Sequence, residues 1–271
     1  MKYGLSSYAY GWAIGFGDDR PARPLTAFNL LERAASLGAE VVQIADNLPL
    51  EKFSRTQLRE LRDFAGELNI SIEVGARRLS SERMEQYAEI ADLFGSPIVR
   101  FVIDDMDYHP SMQQIREILR TGLPQMGEIV LAIENHDRFS AVQMKAFVEE
   151  SAATNIGICL DTANSFGAGE GIETVLQHLA PITVNLHLKD IVIRRVKSLM
   201  GFTIEGRPAG EGQLDLPAIV RQVQRHRRCA SALLEVWTPP AQTLEETVRM
   251  EADWVDRSWK YLNGLSHEGL S

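Results

Sequence analysis

The sequence is poor in cysteine and has no long apolar run. Among 271 residues there are two cysteines, Cys159 and Cys229, both in apolar surroundings. Two isolated cysteines predict buried thiols in a reducing compartment and exclude a disulfide framework. No apolar run approaches the roughly 20 residues that a membrane span needs. The first residues lack the basic segment and apolar core of a signal peptide. We therefore expect a cytoplasmic protein without a membrane partner.

Positive charge is also scarce. The formal net charge is -9, with 28 Lys and Arg against 37 Asp and Glu. A nucleic-acid-binding protein normally needs a positive surface, so no nucleic-acid partner is expected. The apolar share of 45% and the charged share of 24% are ordinary for a globular protein and exclude extended disorder. The length allows one large domain or two small ones.

Eight apolar runs of strand length alternate with segments of helical periodicity. The runs cover residues 2–8, 40–46, 70–76, 97–104, 129–135, 155–161, 182–188 and 230–236. They are mostly apolar on both faces, which is typical of parallel strands covered by helices. Eight strand–helix units without a linker predict an α/β protein with a single (β/α)8 barrel, the TIM-barrel architecture. A doubly wound open sheet is less well supported, because the first strand–helix turn has no GxGxxG.

The predicted boundaries leave two segments outside the regular alternation. The barrel is expected to occupy residues 1–263, and residues 264–271 are expected to be a flexible tail. Residues 191–215 separate the seventh strand from its helix and are interpreted as a long loop. Loops of this length in compact domains are usually functional or disordered.

Four successive strands end in side chains that can bind a metal ion. They are Glu134, Asp161, His187 and Glu235, at the ends of the fifth to eighth strands. The carboxyl ends of barrel strands meet at one face, where the active sites of such barrels lie. Three carboxylates and one imidazole form an oxygen-rich set that suits Mn²⁺ or Mg²⁺. Each side chain alone can also be read as a helix cap or a solvated rim residue, so the joint pattern carries the prediction.

The chain resembles the sugar phosphate isomerase/epimerase superfamily, the xylose isomerase-like barrels. This superfamily includes ketose 3-epimerases, hydroxypyruvate isomerases, inosose dehydratases and endonuclease IV. The resemblance covers all eight strand–helix units. The motifs that carry it are IENH (133–136), LDTAN (160–164), HLKD (187–190), GEGQLD (210–215) and LLEVW (233–237).

The resemblance implies an enzyme with one divalent metal ion. Its ligands would be Glu134, Asp161, His187 and Glu235, and Mn²⁺ is favoured over Mg²⁺, Co²⁺ or Zn²⁺. In the ketose epimerases of the family the two glutamates are also the catalytic acid and base, which assigns those roles to Glu134 and Glu235. The resemblance further implies a small carbohydrate substrate and a homo-oligomer, either a dimer or a tetramer.

Six further side chains are candidates for substrate binding: His136, Asn164, Lys189, Arg207, Trp12 and Trp237. His136 would bind a substrate hydroxyl, or would cap a helix or support a metal ligand. Asn164 stands where some ketose epimerases of the family carry a substrate-binding histidine, which weighs against a simple free-ketose epimerase.

The charged and aromatic candidates also have two interpretations each. Lys189 and Arg207 would hold an anionic or oxygen-rich substrate, although a loop arginine is often merely solvated. Trp12 and Trp237 would wall the pocket and exclude water, or would pack in the core. Asp190 and the GEGQLD motif are interpreted as structural, with Asp215 capping a helix.

The favoured function is therefore a metal-dependent isomerase or epimerase that acts on a small keto-sugar or sugar acid through an enediolate. A metal polarises the carbonyl, and a positioned side chain moves the proton. A lyase, either a decarboxylase or a dehydratase of a keto-sugar acid, can use the same site. A nuclease resembling endonuclease IV is a remote alternative, because only six histidines are present.

Overall fold

The fold is a closed barrel of parallel strands with helices packed around it. The computed structural model describes residues 1–267. Its strands are β1 (Lys2–Ser6), β2 (Val41–Ile44), β3 (Ser71–Arg77), β4 (Ile98–Val102), β5 (Val130–Glu134), β6 (Ile156–Asp161), β7 (Thr183–Leu188), β8 (Asp190–Arg195), β9 (Phe202–Arg207) and β10 (Ser231–Leu234). Its helices are α1 (Gly11–Ile14), α2 (Ala27–Leu37), α3 (Arg55–Glu67), α4 (Ser81–Phe94), α5 (Met112–Gly122), α6 (Ala141–Glu150), α7 (Ile172–Leu179), α8 (Leu216–Gln224) and α9 (Leu244–His267).

The barrel strands are hydrogen-bonded in the order β1-β10-β7-β6-β5-β4-β3-β2. Every neighbouring pair is parallel. All eight predicted strands are therefore present, and the prediction of a (β/α)8 barrel is confirmed. Most of the strands are shorter than the apolar runs that predicted them, because the last residues of several runs turn away from the ladder toward the loops.

Capping residues determine where several helices begin and end. The side chains of Ser54, Ser80 and Asp215 each accept a hydrogen bond from a backbone N–H in the first turn of the helix that follows. Gly38 and Gly95 end α2 and α4 in the left-handed conformation, with φ of 75° and 64°. Of these caps, Asp215 was predicted from the sequence. The caps keep the connections short, so that each helix returns the chain directly to the barrel.

Alternation along the strands sorts side chains between the barrel interior and the helices. The register pairs Asp161 of β6 with His187 of β7, and Asn185 of β7 with Ser231 of β10. Because side chains alternate with a period of two, Asn185 and His187 point to the same side of β7, one layer apart. His187 lies in the layer nearer the carboxyl ends of the strands. The interior therefore contains polar side chains at two successive depths.

The segment predicted as a long loop forms a regular hairpin over its first half. Strands β8 and β9 pair antiparallel, from Asp190 opposite Arg207 to Arg195 opposite Phe202. Isoleucine, valine, threonine and phenylalanine on both strands favour this extended pairing. The stretch that follows is held by Asp190, whose carboxylate accepts hydrogen bonds from the backbone N–H groups of Gly210 and Gly212. The structural interpretation of Asp190 and of the glycine motif is confirmed.

The C-terminal helix is longer than the sequence suggested. Helix α9 continues to His267, whereas the tail was predicted to begin at residue 264. Residues 268–271 of that predicted tail lie outside the described residues. Among the helices of the described chain, none combines the length and the apolar character that crossing a membrane would demand.

The close approach of β1 and β2 makes Gly4 a sensitive position. A Cβ atom on Gly4 would lie 1.8 Å from the carbonyl oxygen of Val41, so Gly4→Ala must push two strands apart. Overpacking of this kind typically costs about 1–3 kcal/mol. Gly66→Ala is the matched control, because Gly66 lies within α3 with no neighbour near its added Cβ. It should gain about 0.5–1 kcal/mol. Urea unfolding midpoints that move in the same direction for both variants would contradict this view of the β1–β2 contact.

Candidate active site

The four predicted metal ligands converge in the mouth of the barrel, and all four are buried. Nδ1 of His187 lies 3.5 Å from Oε2 of Glu134, 4.0 Å from Oδ2 of Asp161 and 3.2 Å from Oε1 of Glu235. Glu134 and Asp161 are the last residues of β5 and β6, and Glu235 directly follows β10. The parallel register of the barrel therefore brings together side chains that are far apart in the sequence.

Two atoms of this cluster that lack hydrogen-bond partners within the described chain are suited to bind a divalent cation. Nδ1 of His187 and Oε1 of Glu235 are buried and have no hydrogen-bond partner among the described residues. Buried polar atoms are normally paired, so two unpaired atoms 3.2 Å apart need an explanation. A cation bound between them would satisfy both. Asp161, His187 and Glu235 form one group with the spacing of metal ligands. Glu134 approaches the same Nδ1 of His187 at 3.5 Å. One imidazole nitrogen with carboxylate oxygens is a donor set that divalent metals accept.

Glu134 is held by hydrogen bonds to both of its carboxylate oxygens. Oε2 accepts a hydrogen bond from Nε of Arg100, and Oε1 accepts one from Nδ2 of Asn164 at 2.8 Å. Burial alone would raise the pKa of Glu134, but the positive charge around it, above all the guanidinium of Arg100, outweighs burial and holds the pKa below its usual range. Asn164, predicted to bind substrate, thus orients a carboxylate of the cluster.

Lys189 is a buried cation placed between two carboxylates. Its Nζ lies 2.7 Å from Oδ2 of Asp161 and 2.8 Å from Oε2 of Glu235. Burial would lower the pKa of Lys189, but the carboxylates of Asp161 and Glu235 raise it, so the ammonium stays charged. Burial likewise opposes ionisation of Glu235, but the positive charge around it, which includes Lys189 and Arg100, holds its pKa well below the usual range. The ring of Trp237 covers Lys189, 5.3 Å from Nζ.

Cys159 lies beside the cluster but does not fit a metal ligand. Its sulfur is close to ligand atoms of Glu134 and His187. Burial raises the pKa of the Cys159 thiol well above its usual value, and Sγ donates a hydrogen bond to Oδ1 of Asn185 at 3.1 Å. Metal binding needs the thiolate. The prediction of two buried thiols holds for Cys159, whereas Cys229 is only partly buried.

A cavity of about 500 Å³ opens above the cluster. Its floor is charged and buried, and it includes Glu134 and Arg100, which are 2% and 3% exposed. Its rim is partly open to solvent and combines apolar side chains, with Phe16 at 41% and Trp237 at 39% exposure, with the polar side chains of His136 and Glu205. Trp12 also lines the cavity; it packs edge-on against Phe16 and donates its indole N–H to the carbonyl of Thr238. Both predicted tryptophans therefore stand on the cavity wall.

The remaining two predicted substrate residues are placed differently. His136 lines the cavity, and its Nδ1 is 2.8 Å from Oδ1 of Asp137. Arg207 is not among the cavity-lining residues that the structure describes. Its guanidinium donates hydrogen bonds to the carboxylate of Glu205 and to the carbonyl of Gly206, and these two neighbours on β9 line the cavity instead.

Sequence reasoning missed part of the charged floor. Arg100, inside β4, reaches up to the site and binds Glu134 and Asp46. Arg77, the last residue of β3, also lines the cavity, and its Nε lies 3.1 Å from Oδ2 of Asp46. Both Arg77 and Asp46 stand where a strand ends, so the strand-end pattern would have found them had it been applied to the second and third strands.

Comparisons with known proteins agree with this architecture. A family model described as xylose isomerase-like TIM barrel matches residues 30–257. The chain is 31% identical to a 3-oxo-isoapionate decarboxylase of Pectobacterium atrosepticum over 264 residues, which is 97% of this chain and 95% of the relative.

Solved structures show the same fold at low sequence identity. A D-psicose 3-epimerase with D-tagatose from Clostridium cellulolyticum H10 superposes with a TM-score of 0.70 at 16% identity, covering 98% of this chain and 99% of the other. A xylose isomerase-like TIM barrel protein from Mycobacterium smegmatis in complex with magnesium gives 0.68 at 13% identity, covering 96% and 97%. With a family model matched over most of its length and a closed barrel of eight parallel strands, the chain belongs to the xylose isomerase-like TIM barrel family.

Proposed function

We propose that the protein is a divalent-cation-dependent lyase that decarboxylates a 3-oxo sugar acid. In this reaction the bond between the carboxyl carbon and C2 breaks, and its electron pair moves onto the 3-oxo oxygen as CO₂ leaves. The resulting enediolate then takes up one proton at C2 and becomes a ketose. The net change is loss of CO₂ and gain of one proton, so no oxidant or reductant is needed.

The distribution of charge in the cavity is the observation that carries this proposal. Decarboxylation moves negative charge from a carboxylate to the oxygen of the former ketone. A low-polarity surrounding disfavours the charged carboxylate, and cations near the oxygen stabilise the charge that develops there. Phe16, Ile204 and Trp237 form an apolar section of the rim, whereas Lys189 and Arg100 lie on the buried floor. A substrate with its carboxylate toward the rim and its ketone toward the floor would gain from both.

The cation would be held by Glu134, Asp161, His187 and Glu235. We propose Mn²⁺, because the ligand set contains three carboxylates and one imidazole. When bound, a divalent cation supplies positive charge next to the forming oxyanion. The chain itself adds the ammonium of Lys189, which also keeps Asp161 and Glu235 in place. Trp12 and Trp237 would exclude water from the developing charge.

His136 is our candidate for delivering the proton to C2. It lines the cavity, and since Asp137 engages its Nδ1, its Nε2 is the nitrogen that can face a substrate. Imidazole is the side chain most often used for proton transfer in enzymes. This role differs from the hydroxyl contact or the helix cap considered from the sequence.

The decarboxylase relative supports the assignment of substrate class. That protein is matched over almost its full length, and its name describes loss of CO₂ from a 3-oxo sugar acid. The relatives found in the comparisons include a decarboxylase and an epimerase that act on sugars or sugar acids. Their presence supports an enzyme that acts on a small carbohydrate.

An isomerase or epimerase of a keto-sugar is the second candidate. Glu134 and Glu235, the acid–base pair implied by the family resemblance, both lie in the buried mouth. A two-base reaction needs Glu134 to accept and release a proton. Its two oxygens already accept hydrogen bonds from Arg100 and Asn164, which favours a carboxylate that stays ionised and in place. The lyase needs no such base, and for this reason we place it first.

Turnover in D₂O distinguishes the two reactions. The purified protein is incubated with Mn²⁺ and a panel of 3-oxo sugar acids and free ketoses, and CO₂ and NMR spectra are recorded. The proposal expects one CO₂ per substrate and one solvent deuterium on the carbon that was C2 of the acid, which becomes C1 of the ketose product. Deuterium entering a ketose or acid that retains all its carbons would instead establish the isomerase or epimerase and overturn the proposal.

Lys189→Met tests the positive charge on the floor, because methionine keeps the length of the side chain and removes its charge. Loss of one electrostatic contact to a developing oxyanion typically lowers kcat about 10²–10³-fold. Lys197→Met, in the exposed turn between β8 and β9, is the control and should keep the kcat of the parent. Metal content is measured in parallel. If Lys189→Met retains its metal and its kcat, Lys189 has no role in stabilising the charge.

A further inference from the structure

A layer of buried polar side chains lies directly below the metal-ligand cluster. It consists of Gln43, Glu73, Asn185 and Ser231, which come from β2, β3, β7 and β10 and which we call the polar layer. Oε1 of Gln43 lies 2.9 Å from Nε2 of His187 and joins the polar layer to the cluster. Such a layer is costly to bury unless every member is paired, so its pattern of donors and acceptors is tightly constrained.

Glu73 accepts hydrogen bonds from three members of the polar layer. Oε1 accepts from the hydroxyl of Ser231 at 2.6 Å. Oε2 accepts from Nδ2 of Asn185 at 3.2 Å and from Nε2 of Gln43 at 3.3 Å. Because a carboxylate only accepts, the two amides must turn their nitrogens toward Glu73.

The orientation of Gln43 follows from these contacts. Its Nε2 faces two acceptors, Oε2 of Glu73 and Oδ1 of Asn185, the latter at 3.1 Å. The reverse orientation would place Oε1 of Gln43 against both acceptors. Three buried oxygen atoms would then face one another without a hydrogen between them. The amide is therefore fixed with its oxygen toward His187. An oxygen at that position can only accept, so Nε2 of His187 must be the nitrogen that carries hydrogen.

We propose that the polar layer, anchored at Glu73, selects the tautomer of His187 that leaves the Nδ1 lone pair free for the cation. Without Gln43 the proton could reside on Nδ1, which lies 3.2 Å from Oε1 of Glu235 and 3.5 Å from Oε2 of Glu134. A proton there would occupy the place of the cation. Gln43 and Glu73 are therefore positioning residues that act through His187. This role concerns metal binding and holds for whichever reaction follows.

The tautomer is measured directly by long-range ¹H–¹⁵N NMR of the imidazole rings. The protein is stripped of metal and studied in alkaline solution, where imidazole carries one proton. With six histidines in the chain, the His187 signals are assigned from their absence in His187→Gln. The proposal expects a protonated Nε2 and an unprotonated Nδ1 in the parent protein. A protonated Nδ1 in the parent would overturn the proposal without any variant.

Two variants test the polar layer itself. Gln43→Leu removes the acceptor, and the proton is expected to move to Nδ1. Glu73→Gln keeps the shape but supplies an amide donor, so the Gln43 amide can turn and a mixture of the two tautomers is expected. Gln125→Leu, at an exposed glutamine, is the control and should leave the spectrum of His187 unchanged. Circular dichroism and thermal unfolding verify that each variant is folded.

Calorimetric titration of the metal-stripped proteins with Mn²⁺ gives a readout that does not involve turnover. Loss of a partner that orients a metal-binding histidine typically weakens metal binding about 10–100-fold. That loss is expected for Gln43→Leu, with a smaller loss for Glu73→Gln and none for Gln125→Leu. A folded Gln43→Leu protein with unchanged affinity and unchanged tautomer would overturn the proposal. If Gln43→Leu does not fold, the tautomer of His187 in the parent protein and in Glu73→Gln still tests the proposal.

Discussion

Three buried carboxylates can share one barrel mouth only because buried cations stand between them. Glu134, Asp161 and Glu235 come from three different strands, and each would be strongly destabilised if left alone in this environment. Arg100 compensates Glu134, while Lys189 bridges Asp161 and Glu235. The register of the barrel, together with the length of the Arg100 and Lys189 side chains, brings all five charged groups together. The fold and the electrostatics of the site therefore depend on each other.

The same pairing decides which atoms remain available for chemistry. Most carboxylate oxygens in the cluster accept a hydrogen bond or an ion pair, whereas Oε1 of Glu235 and Nδ1 of His187 do not. These two atoms face each other and define where a cation would bind. A ligand pattern of this kind is compatible with isomerase, decarboxylase and dehydratase chemistry, since each of these reactions can pass through an enediolate. In this chain Arg100 and Asn164 restrain Glu134, and an apolar section of the rim lies opposite a charged floor.

Much of this arrangement could be predicted from the sequence, for a simple reason. Strand ends in a parallel barrel meet at one face, so the last polar residue of each strand, such as Asp161, is placed by topology alone. The hairpin was missed because residues 191–215 pack little into the core and therefore carry no strong burial pattern. Gln43 could not have been found, since its contact with His187 crosses the barrel between residues 144 positions apart. Arg100 is a charge inside an apolar run of the sequence, but only the three-dimensional structure identifies Glu134 as its partner.

The central claim is that His187 and the three carboxylates bind one divalent cation. Anomalous diffraction from crystals soaked in Mn²⁺ tests it most directly. One peak is expected between Nδ1 of His187 and Oε1 of Glu235, with Nε2 of His187 still hydrogen-bonded to Gln43. No peak at this position in crystals that hold Mn²⁺ elsewhere, or a peak that contacts Nε2 of His187, would contradict the claim.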